Sequence, residues 1–379
     1  MQLFRALQGY PGDRLLVLGP PPEPDAQLLS CRYEVLKLLT YRLACTRFRE
    51  WTSGLNALNT LIEPQIGYSM KLLQGFEPDV VVTVMDKLSY YKHAWALARR
   101  LRLPLMTITM DDPQTFERST PMLESAFVSF LRSMYQDASL SLAISKEMSD
   151  YLEEKFGRKS EVFYFGPAEG IQRRPPEDSR YLKAPPNLTL GYAGSLGLGY
   201  RDGLLAICDA LASTRTALNI YTRDQHCLVN HPQIVNRGFF TSDRLWPNVQ
   251  SECDAVLLPY AFEGQMTRVY RTHFPTKLSE YCWLGMPIIV TGPGDATGVR
   301  WALRHSDAAW AATSRDTEAL ARVFQQVRDD GEQRMSMAGA SQRIAEIEFD
   351  PASIRQQFVA LLRVASLQSG VETISSSAK

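Results

Sequence analysis

The chain carries only six cysteines in 379 residues (Cys31, Cys45, Cys208, Cys227, Cys253, Cys282), and no two of them form a CxxC pair. Such scatter excludes a disulfide scaffold, a zinc ribbon and a dithiol redox motif, and fits reduced thiols used for packing. No sign of charge predominates. The 41 Lys and Arg balance 41 Asp and Glu, so no bulk field draws the protein to nucleic acid or anionic lipid, and any basic site must be local. No uninterrupted apolar run approaches the roughly 20 residues that span a bilayer. The opening MQLFRALQGYPGDR lacks the basic start, apolar run and small-residue cleavage site of a signal peptide, so a cytoplasmic protein is expected. What is present is ordinary globular composition, 45% hydrophobic and 22% charged. At roughly 100–200 residues per domain the length suggests two domains.

Short β-branched or apolar runs alternate with helical stretches at 15–18, 80–85, 105–110, 140–144 and 161–165, and again at 188–193, 217–221, 234–240, 255–258 and 288–291. Strands alternating with helices imply parallel sheets covered on both faces, hence an α/β chain of two doubly wound, Rossmann-like domains. Between the two sets lies Gly166–Pro186, GPAEGIQRRPPEDSRYLKAPP, whose Pro and charge content reads as an interdomain linker. The expected domains are 1–166 and 167–350, followed by 351–379 as a helix and a Ser-rich tail expected to be disordered. A doubly wound domain normally opens on a strand and a Gly-rich turn, whereas this chain begins with a helix-like segment. Either the true start lies upstream or the first sheet is one strand short.

Two segments carry candidate chemistry. In LTLGYAGSLGLGYRD (188–202) a strand runs through glycines into a helix, a cradle in which backbone N–H groups and a helix dipole can meet a phosphate. The same spacing serves a plain strand-to-helix turn. It lacks the Lys-Ser/Thr of a Walker loop and the spacing of a dinucleotide fingerprint. Ala193-Gly-Ser-Leu-Gly is also a near match to a nucleophile elbow around Ser195, short of its first glycine and of an upstream oxyanion segment. The second segment is HFPTKLSEYCWLGMPIIVTG (273–292). Pro275 suits the first helical position and Gly285 the left-handed position after the last, bracketing a helix of about three turns. Lys277 in the first turn opposes the helix dipole, which makes sense if an anion sits between them. Glu280, on the same face, can accept two hydrogen bonds from a diol such as ribose. The competing reading of Lys277 and Glu280 is an inconsequential surface pair.

The run FPTKLSEYCWLGMPIIV (274–290) resembles the donor-site helix of glycosyltransferases with the GT-B fold, in particular glycosyl transferases group 1. Tyr192-Ala-Gly-Ser, Asp254-Ala-Val-Leu-Leu-Pro-Tyr and Ala143-Ile-Ser-Lys-Glu-Met fall in the order that the resemblance requires. It covers most of residues 75–350 and is more specific in the second domain than in the first. The resemblance implies two Rossmann-like domains facing a cleft, with the last helix crossing back to the first domain. It implies that Gly194 and Ser195 meet the diphosphate of a nucleotide-sugar donor, that Lys277 neutralises it and that Glu280 holds the ribose. Arg201 and Arg223 are further phosphate candidates, and Arg237 and Gly238 match the segment whose backbone touches the base. No cofactor and no metal are expected, and the partners are the nucleotide sugar and a glycan or lipid-linked sugar acceptor. One departure stands out: where many retaining relatives carry a second glutamate, this chain has Thr272, with Glu263 in the preceding loop as a substitute.

In the first domain the strand at 105–110 ends in Asp111-Asp112-Pro113. Ligands gather at strand ends in α/β sheets, and an aspartate there can take the proton of an attacking hydroxyl. Helix capping before Pro113 is the simpler alternative. Asp86 and His93 are runners-up. The basic stretch 37–51 does not gather its charges on one helical face, so a covering helix is favoured over a peripheral contact with the inner membrane face. The rivals to a transferase are an epimerase of the same fold, a non-catalytic nucleotide-sugar-binding homologue and a Ser195 hydrolase.

Overall fold

The computed structural model describes residues 2–22, 28–36, 38, 66–113, 121–168, 170–175, 177–197, 199–227 and 229–367. The basic stretch 37–51 (save Leu38), Cys45 and the tail after Leu367 lie outside them. The chain divides into two compact units, one formed by Met1–Phe163 with Arg355–Lys379 and the other by Tyr164–Ile354.

In the first unit the strands are β1 (Leu16–Gly19), β2 (Arg32–Val35), β3 (Val81–Val84), β4 (Leu105–Thr109), β5 (Leu140–Ala143) and β6 (Glu161–Val162), accompanied by α1 (Gln2–Leu7), α2 (Gly67–Leu72), α3 (Leu88–Leu101), α4 (Pro121–Asp137) and α5 (Lys146–Phe156). β3-β4-β5-β6 form one parallel sheet and β1-β2 a separate parallel pair. β4 and β5 are buried throughout, as the central strands of a sheet covered on both faces must be. The polar RYEV of β2 has no strand-like apolar pattern. Its place comes from tertiary bonds, the Arg32 guanidinium donating to the carbonyls of Leu72 and Gln74 at 2.8 and 2.9 Å.

The second unit holds β7 (Thr189–Ala193), β8 (Ala217–Tyr221), β9 (Ile234–Gly238), β10 (Ala255–Pro259), β11 (Ile288–Thr291) and β12 (Ala309–Ala312). Its helices are α6 (Tyr200–Ala206), α7 (Cys208–Thr214), α8 (Ser242–Glu252), α9 (Thr267–Tyr270), α10 (Thr276–Leu284), α11 (Thr297–Arg304), α12 (Thr317–Asp329) and α13 (Gly331–Glu348). A further helix, α14 (Pro351–Leu367), leads back to the first unit, where Phe358 packs on Phe163 with ring centroids 5.4 Å apart. The six strands are parallel in the order β12-β11-β10-β7-β8-β9. The chain order therefore reverses between β7 and β10. In a doubly wound sheet that is where the loops leaving the carboxyl ends of two adjacent strands part and open a crevice.

Two features separate the fold from the sequence reading. Gly166–Pro186 is no free spacer but packs on the second unit. Ile171 and Tyr181 are buried, the Ile171 carbonyl accepts from Trp283 Nε1 at 3.1 Å, the Arg174 carbonyl accepts from Gln342 Nε2 at 2.6 Å, and the Tyr181 hydroxyl donates to the Gly285 carbonyl. Two apolar anchors suffice to pin a segment that composition alone marks as solvated. Second, α10 begins at Thr276, with Pro275 in the capping position (φ −75°, ψ 116°). It ends at Gly285 (φ 67°), where a Cβ would come within 1.8 Å of Gln342 Nε2, so both backbone and packing demand glycine.

Candidate active site

The carboxyl end of β7 and the start of α10 bring Gly194 and Lys277 together, two of the eight residues expected on the donor side. β7 delivers Gly194 with φ 137°, and the amide N–H of Gly194 donates to the Tyr221 carbonyl at 2.9 Å. A Cβ at this glycine would lie 2.2 Å from Lys277 Cε and 3.1 Å from Lys277 Nζ. What Gly194 contributes is thus room for the lysine to lie along the backbone. The loop beyond it is closed by Asp224, at the end of β8. One carboxylate oxygen accepts from Ser195 Oγ and from the Leu196 amide, both at 2.7 Å, and Ser195 Oγ accepts from the Gly197 amide at 3.0 Å. These bonds, that from Ser195 first, hold the Asp224 pKa below its ordinary value. Ser195 thus closes the loop, its hydroxyl donating to Asp224 and accepting from the Gly197 amide.

α10 supplies Lys277 from its first turn and Glu280 from the next, with no acidic residue in the first turn to serve the dipole. Lys277 is half-buried. Its ammonium lies 4.2 Å from the centroid of Tyr200 and 5.5 Å from that of Tyr192, and among the described residues no hydrogen bond or ion pair reaches it. Burial pushes its pKa down to about 8, against the upward pull of Glu280 and Asp224. The aromatic faces offset part of that cost. Glu280 is buried on the same helix. Tyr281 Oη accepts from the Ala193 amide at 3.2 Å, fixing α10 to the end of β7. A cation held on ring faces in a helix's first turn opposes the helix dipole, and an anion placed between them would relieve that opposition.

The remaining candidates stand differently. Arg201 is an exposed residue of the first turn of α6. Arg223 stacks on Phe239 with 3.8 Å between guanidinium carbon and ring centroid. Arg237 is the extra residue of a bulge, since Ile220 pairs with Asn236 and Tyr221 with Gly238. Its guanidinium pairs with Glu252 at 3.2 Å and donates to Asn219 at 3.2 Å, so its side chain is tied to the α8 side of the sheet. The Gly238 amide donates to Asn236 Oδ1 at 3.0 Å and its carbonyl accepts from the Thr222 amide at 2.9 Å. Glu263 is exposed and paired with Arg315 at 2.7 Å. Tyr192, Tyr200, Asp224 and Tyr281 are the residues that sequence reasoning missed. Their common signal is position at or just past a strand end, or one turn from Lys277.

In the first unit Asp111 and Asp112 follow β4. Asp112 is buried and accepts from the Tyr151 hydroxyl at 3.0 Å. His93 is buried inside α3, with Nε2 2.6 Å from Ser69 Oγ and its pKa lowered by burial, so it ties α3 to α2. Among the described residues no group of three or more His, Cys, Asp or Glu is placed to hold a metal ion, and no helix is long and apolar enough to cross a membrane.

No family model matches the chain, and no curated protein matches it in sequence. Solved structures do. HepE from Anabaena, in complex with UDP-glucose, is 18% identical over 96% of this chain and 94% of its own, with a TM-score of 0.65. Sucrose-phosphate synthase from Thermosynechococcus elongatus is 11% identical over 92% and 88%, with a TM-score of 0.65, and a glycosyltransferase from Rickettsia africae is 12% identical over 88% and 85%, at 0.58. The fold is the one these enzymes share, the GT-B fold with its two Rossmann-like domains.

Proposed function

We propose that the protein is a glycosyltransferase that moves a sugar from a nucleoside-diphosphate sugar to a hydroxyl of a glycan or lipid-linked sugar acceptor. The observation that carries the reading is the Lys277 ammonium, seated on Tyr192 and Tyr200 beside Gly194 and, among the described residues, in no salt bridge. The likeness to HepE, solved with UDP-glucose, makes UDP-sugars the first donors to test.

In this reading the diphosphate lies at the loop after β7, where Lys277 neutralises it and Glu280 accepts from the ribose hydroxyls. As the acceptor oxygen bonds to the anomeric carbon, the bond from that carbon to the diphosphate oxygen breaks. Negative charge then grows on the leaving diphosphate, and Lys277 stabilises it, the role that a divalent cation plays in metal-dependent transferases. The acceptor proton passes to Asp111 or Asp112, a step worth about 10²–10⁴ in rate. The test is calorimetric titration of UDP into the protein and into Lys277→Ala, followed by turnover of UDP-sugars with Asp111→Asn and Asp112→Asn. Unchanged UDP affinity in the lysine variant would refute the donor site. Conversion of the donor sugar without an acceptor would point to an epimerase instead.

A further inference from the structure

At the other end of the second unit's sheet, where β7 and β10 begin, lies a polar cavity of about 260 Å³. Its charged lining is Arg174, Arg180, Lys183 and Arg334 against Glu252 and Asp254. Setting the paired groups aside leaves the same excess of two positive charges. Glu252 is already paired with Arg237 at 3.2 Å and accepts from Tyr221 at 2.8 Å, while Arg180 is paired with Asp178 at 2.6 Å. Arg334 is buried and donates to the carbonyls of Tyr181, Lys183, Val327 and Arg328. Carbonyls satisfy its hydrogens but leave its charge uncancelled. Arg174, 5% exposed, donates from Nη2 to the Gln250 carbonyl, and its buried Nε has no acceptor. Within the lining, Asp254 is the carboxylate left to answer Arg174, Arg334 and Lys183, while Asp178 acts on Arg174 and Asp329 and Asp330 act on Arg334 from outside it. One Asp254 oxygen accepts from the Thr189 amide at 2.8 Å, and burial works against its ionisation.

Two guanidinium groups withdrawn from water, neither in a salt bridge among the described residues and one with a buried Nε lacking an acceptor, are costly unless an anion joins them. The planar donor fork of arginine suits tetrahedral oxyanions. The cavity has room for such an ion and for several waters at about 30 Å³ each. We propose that this cavity, formed by the basic segment 173–183 and α13, is a second anion site that binds orthophosphate or the phosphoryl group of a small phosphomonoester. It is independent of the nucleotide site and does not rest on the transferase reading.

The experiment is calorimetric titration of the full chain with inorganic phosphate, ionic strength being held constant with chloride. Three proteins are compared: the parent, Lys183→Glu and Lys277→Met. Lys183 is exposed, so its reversal leaves the fold intact while adding a negative charge beside the cavity. Binding should weaken about five- to tenfold in Lys183→Glu and stay unchanged in Lys277→Met. Glycerol 3-phosphate is run in parallel. Tighter binding of the ester names a phosphomonoester as ligand and tighter binding of the free ion names orthophosphate, and either supports the site. No heat up to tens of millimolar phosphate, or binding lost in Lys277→Met and indifferent to Lys183→Glu, overturns it.

Discussion

Nucleotide affinity should depend on pH through one group, and Lys277 sets both the sign and the size. Its pKa in the free protein is about 8, and a diphosphate beside it favours the charged form. Affinity is therefore flat below about pH 8 and falls about tenfold per unit above it. Between pH 7 and pH 9 the ammonium fraction drops from roughly nine-tenths to roughly one-tenth, so the Kd for UDP should rise about tenfold, or about 1.4 kcal/mol. Between pH 7 and pH 9 the ligand adds little titration of its own, because a terminal phosphate with a second pKa of about 6 is already about nine-tenths ionised at pH 7. The neighbours are silent as well. Burial pushes the Tyr192, Tyr281 and Cys282 pKa values upward, out of the window. Titration calorimetry from pH 6.5 to 9.5 gives the curve, and circular dichroism verifies that the fold persists. Lys277→Arg, charged at every pH used, should flatten it. Folding stability runs the other way. The folded pKa lies below that of the unfolded chain, so this lysine destabilises the empty protein most below about pH 8, and the cost is relieved as pH rises toward 10.5. Lys277→Met should then stabilise the empty protein at pH 7 by about 1 kcal/mol while abolishing UDP binding, an opposition typical of groups kept for function. A pH-independent Kd in the parent protein, or a Lys277→Met variant less stable than the parent, would refute the reasoning.

Gly194→Ala places a methyl on Lys277 Cε at a φ that disfavours side chains, so UDP affinity should fall at least about tenfold with about 1–3 kcal/mol lost in chemical denaturation. Asp224→Ala strands the Leu196 amide and the Ser195 hydroxyl, at about 1–2 kcal/mol in the same assay, with a raised KM for the donor. Gly285→Ala drives a methyl into Gln342 and should lower Tm by several degrees, without a pH-dependent component. Asp112→Asn should lower kcat far more than Tyr151→Phe, which removes only the hydroxyl that donates to Asp112; equal losses in steady-state kinetics would mark the pair as structural.

β10 and β11 are legible in the sequence because their neighbours cover both faces, which forces the apolar runs Val256–Leu258 and Ile288–Val290. β12, with its Ala-rich AWAA, and β2, held by a long-range arginine, lack such runs and go unseen. Lys277 stands out because a cation in a helix's first turn is locally wrong, and that mismatch can be read without a structure. Its support cannot. Tyr200 and Asp224 reach the lysine across the sheet, and Gly194, read as an amide donor, turns out to supply clearance, a distinction that only the Tyr221 carbonyl reveals. Where the Arg237 side chain goes is fixed by a bulge and by Glu252, neither of which the sequence announces.

The return of α14 to the first unit bears on how the polypeptide matures. Phe358 is fully enclosed and packs its ring at a tilt against Phe163, yet nearly two hundred residues separate them along the chain. During synthesis the carboxyl-terminal unit leaves the ribosome whole before α14 emerges, so it is free to fold first. The amino-terminal unit must wait with Phe163 uncovered, and that interval is when chaperone capture and aggregation compete with folding.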